Sequence, residues 1–151
     1  HVSPAFLRQY NGRWFVIGYN HDTGLQAQRL ALDRIEKISA CNVPYQSTDI
    51  DWEKHFSNIV GVTKFEDREE VEIKLLFSRF AAPYVLTRPL HALQQTETLA
   101  DGRLLLSVRL IPNYELEQRI LGYAEQVEVV APEHLRRVIA HRLRQALDFY
   151  M

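Results

Sequence analysis

Asn11-Gly12-Arg13-Trp14-Phe15-Val16-Ile17-Gly18-Tyr19 decides how the chain begins to fold. Asn-Gly supplies the two left-handed backbone positions of a tight hairpin turn, and the aromatic and β-branched run behind it is strand material. The strand before the turn is then residues 6–10, and the polar stretch from Asn20 to Gly24 ends the strand after it. Beyond that, Arg29-Leu30-Ala31-Leu32-Asp33-Arg34-Ile35 alternates polar and apolar. Side chains alternate faces in a strand, so Leu30 and Leu32, with Ile38, turn to one side and Arg29 and Asp33 to the other. Short strands joined by tight turns predict a small barrel or a curled sheet.

A polar segment follows from Asn42 to Asp51, and Asp49 is placed to cap a short helix carrying Trp52 and Phe56 on one face. The charge run Glu66-Asp67-Arg68-Glu69-Glu70 cannot sit in a core and marks a boundary between residues 1–64 and 65–151. The second part reads as βαββαβ with a final helix. Val71–Phe77 alternates as a strand, and a short helix follows around residues 83–86, with Pro83 tolerable in its first turn. Residues 93–99 and 103–110 pair across Ala100-Asp101-Gly102. Asn113 caps a helix with Leu116, Ile120 and Leu121 on one face, and residues 127–130 form the fourth strand. Pro132 starts a long helix whose stripe is Leu135, Val138, Ile139, Leu143, Ala146 and Phe149, read as core or dimer interface.

The bulk numbers exclude several classes. With 46% hydrophobic and 25% charged residues, the 151-residue chain is of ordinary globular composition, and no apolar run is long enough to span a bilayer. Net charge is −1, which argues against a protein that embraces nucleic acid with its whole surface. Residues 1–64 carry seven Lys/Arg against six Asp/Glu, and residues 65–151 eleven against thirteen, so an anion site must be a local cluster. One cysteine, Cys41, allows no internal disulfide and fits the cytoplasm. His1 is not an initiator methionine, and Val2-Ser3-Pro4 reads like the middle of a fold, so the sequence is expected to be a piece of a longer protein.

No motif of a catalytic centre is present. There is no Gly-x-Ser-x-Gly and no phosphate-cradling glycine loop, and nothing sets Asp49 against Asp51 or Glu69 against Glu70 as an acid–base pair. His134 and His141 stand seven apart rather than the four of a two-histidine zinc face, so neither a metal nor another cofactor is expected. Arg136, Arg137 and Arg144 lie off the apolar stripe of the last helix and read as a solvated basic face.

Five motifs together carry a resemblance. Pro4-x-x-Leu7 with Asn11-Gly12-Arg13-Trp14-Phe15-Val16, and Arg29-x-x-Leu32-Asp33-Arg34-Ile35, resemble the two signatures of WYL domains, with Phe for Tyr and Val for Leu in the first. Arg88-Pro89-Leu90-His91-x-x-Gln94, Asn113-x-Glu115-Leu116 and Val127-Glu128-Val129-Val130-Ala131-Pro132 resemble the extension that commonly follows a WYL domain. They occur in the family's order along nearly the whole chain. Departures are Leu93, where the family often has Ser, and Ala124, where it often has Gly. The family's usual first strand and the winged helix-turn-helix ahead of it are absent from these residues.

The resemblance implies an α+β protein. Residues 1–64 would form a partial Sm-like or SH3-like β-barrel, the WYL domain, and residues 65–151 a ferredoxin-like βαββαβ extension with a C-terminal helix. It implies a ligand-sensing region of a bacterial transcription regulator, not an enzyme. The ligand would be single-stranded nucleic acid or a nucleotide, controlling an attached helix-turn-helix that grips DNA, in a homodimer. Candidate ligand contacts are Arg13, Trp14, Tyr19, Arg29, Arg34 and His91, because guanidinium groups take phosphates and aromatic faces stack on bases. Against this, Trp14 by itself is better read as core packing, Arg34 as pairing with Asp33 or Glu36 with its direction left open, and His91 as satisfied by a backbone carbonyl. Arg29, on the polar side of its strand without a local acid, is the stronger candidate. The alternative is a dimerisation platform with no working pocket.

Overall fold

The computed structural model describes residues 1–151. The chain is α+β, with two antiparallel sheets and four α-helices, and it divides into two compact units, His1–Ser57 and Asn58–Met151.

The first unit is built on the hairpin. Strand β1 (Val2–Tyr10) meets β2 (Arg13–Asn20) across Asn11 and Gly12, whose φ values of 50° and 78° are the paired left-handed positions of that turn. The turn fixes the register: Tyr10 lies opposite Arg13, Arg8 opposite Phe15 and Phe6 opposite Ile17, with a bulge between Pro4 and Phe6. Proline donates no ladder hydrogen bond, which suits it to an edge strand at a bulge. Strand β3 (Gln28–Ala31) pairs with the other side of β2, setting Arg29 opposite Ile17 and Leu30 opposite Val16.

Here the structure corrects the sequence reading twice. The third strand stops at Ala31, and Leu32–Arg34 is a 3₁₀ turn, so Leu32 does not continue the alternation. Helix α1 (Trp52–Phe56) is capped by Asp51, whose carboxylate accepts from the Lys54 N–H at 3.1 Å, and not by Asp49. The capping side chain belongs to the residue just before the first helical one and serves the N–H two or three residues on, and with the helix starting at Trp52 that residue is Asp51.

The second unit holds β4 (Val71–Phe77), α2 (Ala82–Thr87), β5 (Gln95–Thr98), β6 (Leu104–Leu110), α3 (Tyr114–Leu121), β7 (Val127–Ala131) and α4 (Glu133–Leu147). The strand order is β5-β6-β4-β7, every neighbour antiparallel. Alternation buries Ile73, Leu75 and Phe77 of β4 with Leu104, Leu106, Val108 and Leu110 of β6. Ala82 and Val85 of α2, Leu116 and Ile120 of α3, and Leu135 and Ile139 of α4 add the buried apolar side chains of this unit's three helices. On α4 the predicted stripe is buried only at Leu135 and Ile139; Val138, Leu143 and Phe149 are exposed, Phe149 lying beyond the last turn.

Residues 58–64 belong with this second unit, and their attachment is polar as well as apolar. Ile59, Val60 and Val62 are buried. Asn113 is fully buried; its Oδ1 accepts from the Leu116 N–H as the α3 cap, while its Nδ2 donates to the carbonyls of Val60 and Thr63, both at 2.7 Å. Glu115 Oε1 accepts from the Thr63 N–H at 3.0 Å and hydroxyl at 2.7 Å. Gly61 makes the close approach possible: its φ is 78°, and a Cβ there would lie 2.7 Å from Glu115 Cγ. The acidic run at 66–70 follows, fully exposed.

Candidate functional site

Directly opposed residues of an antiparallel pair share a face. The registers therefore put Phe6, Arg8 and Tyr10 of β1, Arg13, Phe15, Ile17 and Tyr19 of β2, and Arg29 and Ala31 of β3 on one face of the first sheet. This is the packed face, since Ile17 is fully buried and Phe6 stacks on the rings of Trp52 (5.4 Å) and Phe56 (5.8 Å) from α1. Trp52 and Phe56 lie 6.2 Å apart in nearly parallel planes. Three arginines stand among these rings.

Arg8 is the most embedded, with its guanidinium carbon 4.2 Å from the centroid of Phe56. Burial holds its pKa below the ordinary arginine value, yet a guanidinium remains charged across the physiological range. A cation kept partly out of water beside aromatic faces attracts an incoming anion more strongly than one in bulk solvent. Arg29, half-buried, is set across β2 from Phe6, through Ile17, while Ala31 lies across from Arg8. Arg13 pairs with Asp33 at 2.9 Å, an exposed bridge worth little to stability and open to exchange for another anion. At the other end of the face Tyr19 meets His21 edge-on at 5.0 Å, and His21 Nε2 lies 2.8 Å from the hydroxyl of buried Ser3.

Of the six residues the sequence nominated, three share this face, Arg13 at the turn end, Tyr19 at the other end and Arg29 on the neighbouring strand. Arg29 is there for a reason opposite to the one expected, because the packed face carries it while Leu30 points to the open one. Trp14 is on the open face, across from Gln9 and 48% exposed, so it neither packs in the core nor joins the arginines. Arg34 is exposed in the 3₁₀ turn, and Asp33, one of its two expected partners, takes Arg13 instead. His91 lies in the second unit, where its Nδ1 accepts from the Leu93 N–H at 3.2 Å, in a turn closed by Gln94 Oε1 accepting from the Leu90 N–H. This bond is to a backbone amide, where a carbonyl was expected.

Arg8, Phe6, Trp52 and Phe56 were missed. The signal was present: once Asn-Gly sets the hairpin, alternation alone places Phe6, Arg8 and Tyr10 on the face of Arg13.

An open depression on α4 is lined by Arg137, Val138, His141 and Arg142, but Arg137 meets Glu133 at 3.0 Å and Arg142 meets Glu117 at 2.7 Å. The latter approach is off the hydrogen-bond line, an ion contact between α3 and α4 over which Tyr114 lays its ring. No group of three or more His, Cys, Asp or Glu residues stands where a metal ion could be held. No helix is long and apolar enough to cross a membrane.

Among solved structures, proteasome accessory factor B/C (PafBC) of Arthrobacter aurescens is similar over 99% of this chain, at 22% identity and a TM-score of 0.45. The chain spans 22% of that protein's length. No curated protein matches. Residues 69–147 match the family model of the WCX domain. That match covers more than half of the sequence, and the chain belongs to the WCX-domain family, the WYL C-terminal extension.

Proposed function

We propose that the chain is the ligand-sensing region of a cytoplasmic bacterial transcription regulator. In this reading residues 1–64 are a WYL module of partial Sm-like or SH3-like barrel form, and residues 65–151 are its ferredoxin-like extension. The βαββαβ succession with strand order β5-β6-β4-β7 supports the second assignment. The ligand is single-stranded nucleic acid or a nucleotide, and its binding biases an attached helix-turn-helix in a homodimer.

The observation that carries this is the packed face of the first sheet, where Arg8, Arg13 and Arg29 share a surface with Phe6, Trp52, Phe56 and Tyr19. Guanidinium forks match phosphate oxygens, and of the rings the half-buried Trp52 and Tyr19 are the ones placed to offer a face to a base, Phe56 being buried beneath Arg8. A ligand controls the regulator only if it binds one of two arrangements better than the other.

The test is fluorescence anisotropy with single-stranded DNA, single-stranded RNA and duplex DNA, beside Arg8→Gln and Arg29→Gln. Single strands should bind in a salt-sensitive way, and each lost phosphate contact should flatten the log–log salt slope by about 0.7. Equal binding by the variants would remove the face from consideration. A second reading, a dimerisation platform, is favoured by Leu143 and Leu147, 44% and 54% exposed on α4. Sedimentation of a Leu143→Lys, Leu147→Lys double variant decides it: a dimer lost with no ligand response in the parent would establish that role alone.

A further inference from the structure

From Ser78 to Gln94 the chain carries Arg79, Arg88 and His91 and no carboxylate, in a protein whose net charge is −1. This segment is α2 with the turns that enter and leave it. The helix is anchored on one side by Ala81, Ala82 and fully buried Val85. Its other side exposes two aromatic rings, Phe80 at 68% and Tyr84 at 61%.

Large rings this exposed do nothing for the core, where Phe77 supplies the aromatic packing. Phe80 and Tyr84 are one helical turn apart, with centroids separated by 6.0 Å and planes tilted by 46°. They are not stacked on one another, so each keeps a flat face toward solvent. The Arg88 N–H donates to the Tyr84 carbonyl at 2.9 Å, which continues the turn and sets Arg88 next along the same edge. Arg79 precedes Phe80 at the other end. Both arginines are exposed without a carboxylate partner. Beside Arg79, the turn at Gly102 brings Asp101 close in sequence, but its carboxylate is taken by Arg103 at 2.7 Å.

The two rings lie between two unneutralised guanidiniums along this segment, in the order Arg79, Phe80, Tyr84, Arg88. An apolar partner would leave the two charges unmatched, and an acidic peptide would leave the rings unused. A polymer with a phosphate and a π-face in every unit uses both. We propose that the outer edge of α2 is a second nucleic-acid contact, with Phe80 and Tyr84 each stacking a base of a single strand and Arg79 and Arg88 taking its phosphates. The site lies within the WCX domain and stands independently of the arginine face of the first unit.

The experiment uses the full chain and a fluorescein-labelled oligothymidylate of about 12 nucleotides, within the span one such platform covers. Tyr84→Ala should weaken binding about tenfold, while Tyr84→Phe, which keeps the ring, should bind like the parent. Arg79→Gln with Arg88→Gln should flatten the salt slope by about 1.4. All four side chains are exposed, so these variants fold. Unchanged affinity in Tyr84→Ala and in the double arginine variant overturns the proposal. So does a Phe80→Ala, Tyr84→Ala variant that alters the sedimentation coefficient but not the affinity, which would make the edge a protein contact. Failure of the parent to bind overturns both nucleic-acid readings. Loss only in Arg29→Gln leaves the first-unit face standing and this one refuted; loss only in Tyr84→Ala does the reverse.

Discussion

Ala124 occupies a backbone conformation that favours glycine, with φ at 48°. An L side chain in the left-handed region crowds the following carbonyl and costs about 1–2 kcal/mol. Ala124→Gly should therefore raise the urea midpoint at unchanged slope, by the equivalent of about 1 kcal/mol after glycine's greater unfolded entropy is subtracted. A lower midpoint would mean that Ala124's methyl is being used in packing. The sequence flagged this position as a departure from its relatives, and the backbone gives that departure a physical cost. Trp14 and Arg29 were less legible. Alternation told correctly that they point away from their neighbours in the chain, but not which face of the sheet would be covered. That is decided by Trp52 and Phe56, which come from a helix some twenty residues past β3.

The elements whose ends are marked by local chemistry were readable from the sequence. Asn-Gly fixed the first hairpin, Gly102 the second, and Asn113 the start of α3. Where two residues of the same type compete, as Asp49 and Asp51 do before α1, pattern alone chose wrongly. Where partners are distant, it was silent: nothing near Asn113 says that its amide also holds Val60 and Thr63, some fifty residues earlier. This double role makes a test at the level of the element. Asn113→Ala removes a cap worth about 1 kcal/mol and leaves two carbonyls without their donor, at about 1 kcal/mol or more each. We expect a loss of about 3 kcal/mol in chemical denaturation. Asn113→Asp keeps the capping oxygen but sets a carboxylate against those carbonyls, so it should rescue nothing. If Asp restored the parent's stability, the contact to residues 60–63 would be energetically idle.

Across the whole molecule, the first unit derives from one turn and its register, and the second from a sheet covered by helices on its apolar face. The sequence conveyed the order of elements, because hydrophobic alternation and turn residues are local signals. It placed residues 58–64 with the module they adjoin along the chain, since an apolar run such as Ile59-Val60-Gly61-Val62 carries no label of its destination. The anchoring of that run has a consequence for how the protein can be dissected. The WCX match begins at residue 69, after Ile59, Val60 and Val62 have already entered the core of the second unit. A fragment cut at that homology boundary loses three buried aliphatic side chains, each worth about 1.5–3 kcal/mol, and orphans Asn113 and Glu115. The deficit is on the order of the stability of a whole domain. By calorimetry, residues 58–151 should show one sharp transition and residues 69–151 none; equally sharp transitions in both would refute this. What is inherited as a unit and what melts as a unit start at different residues.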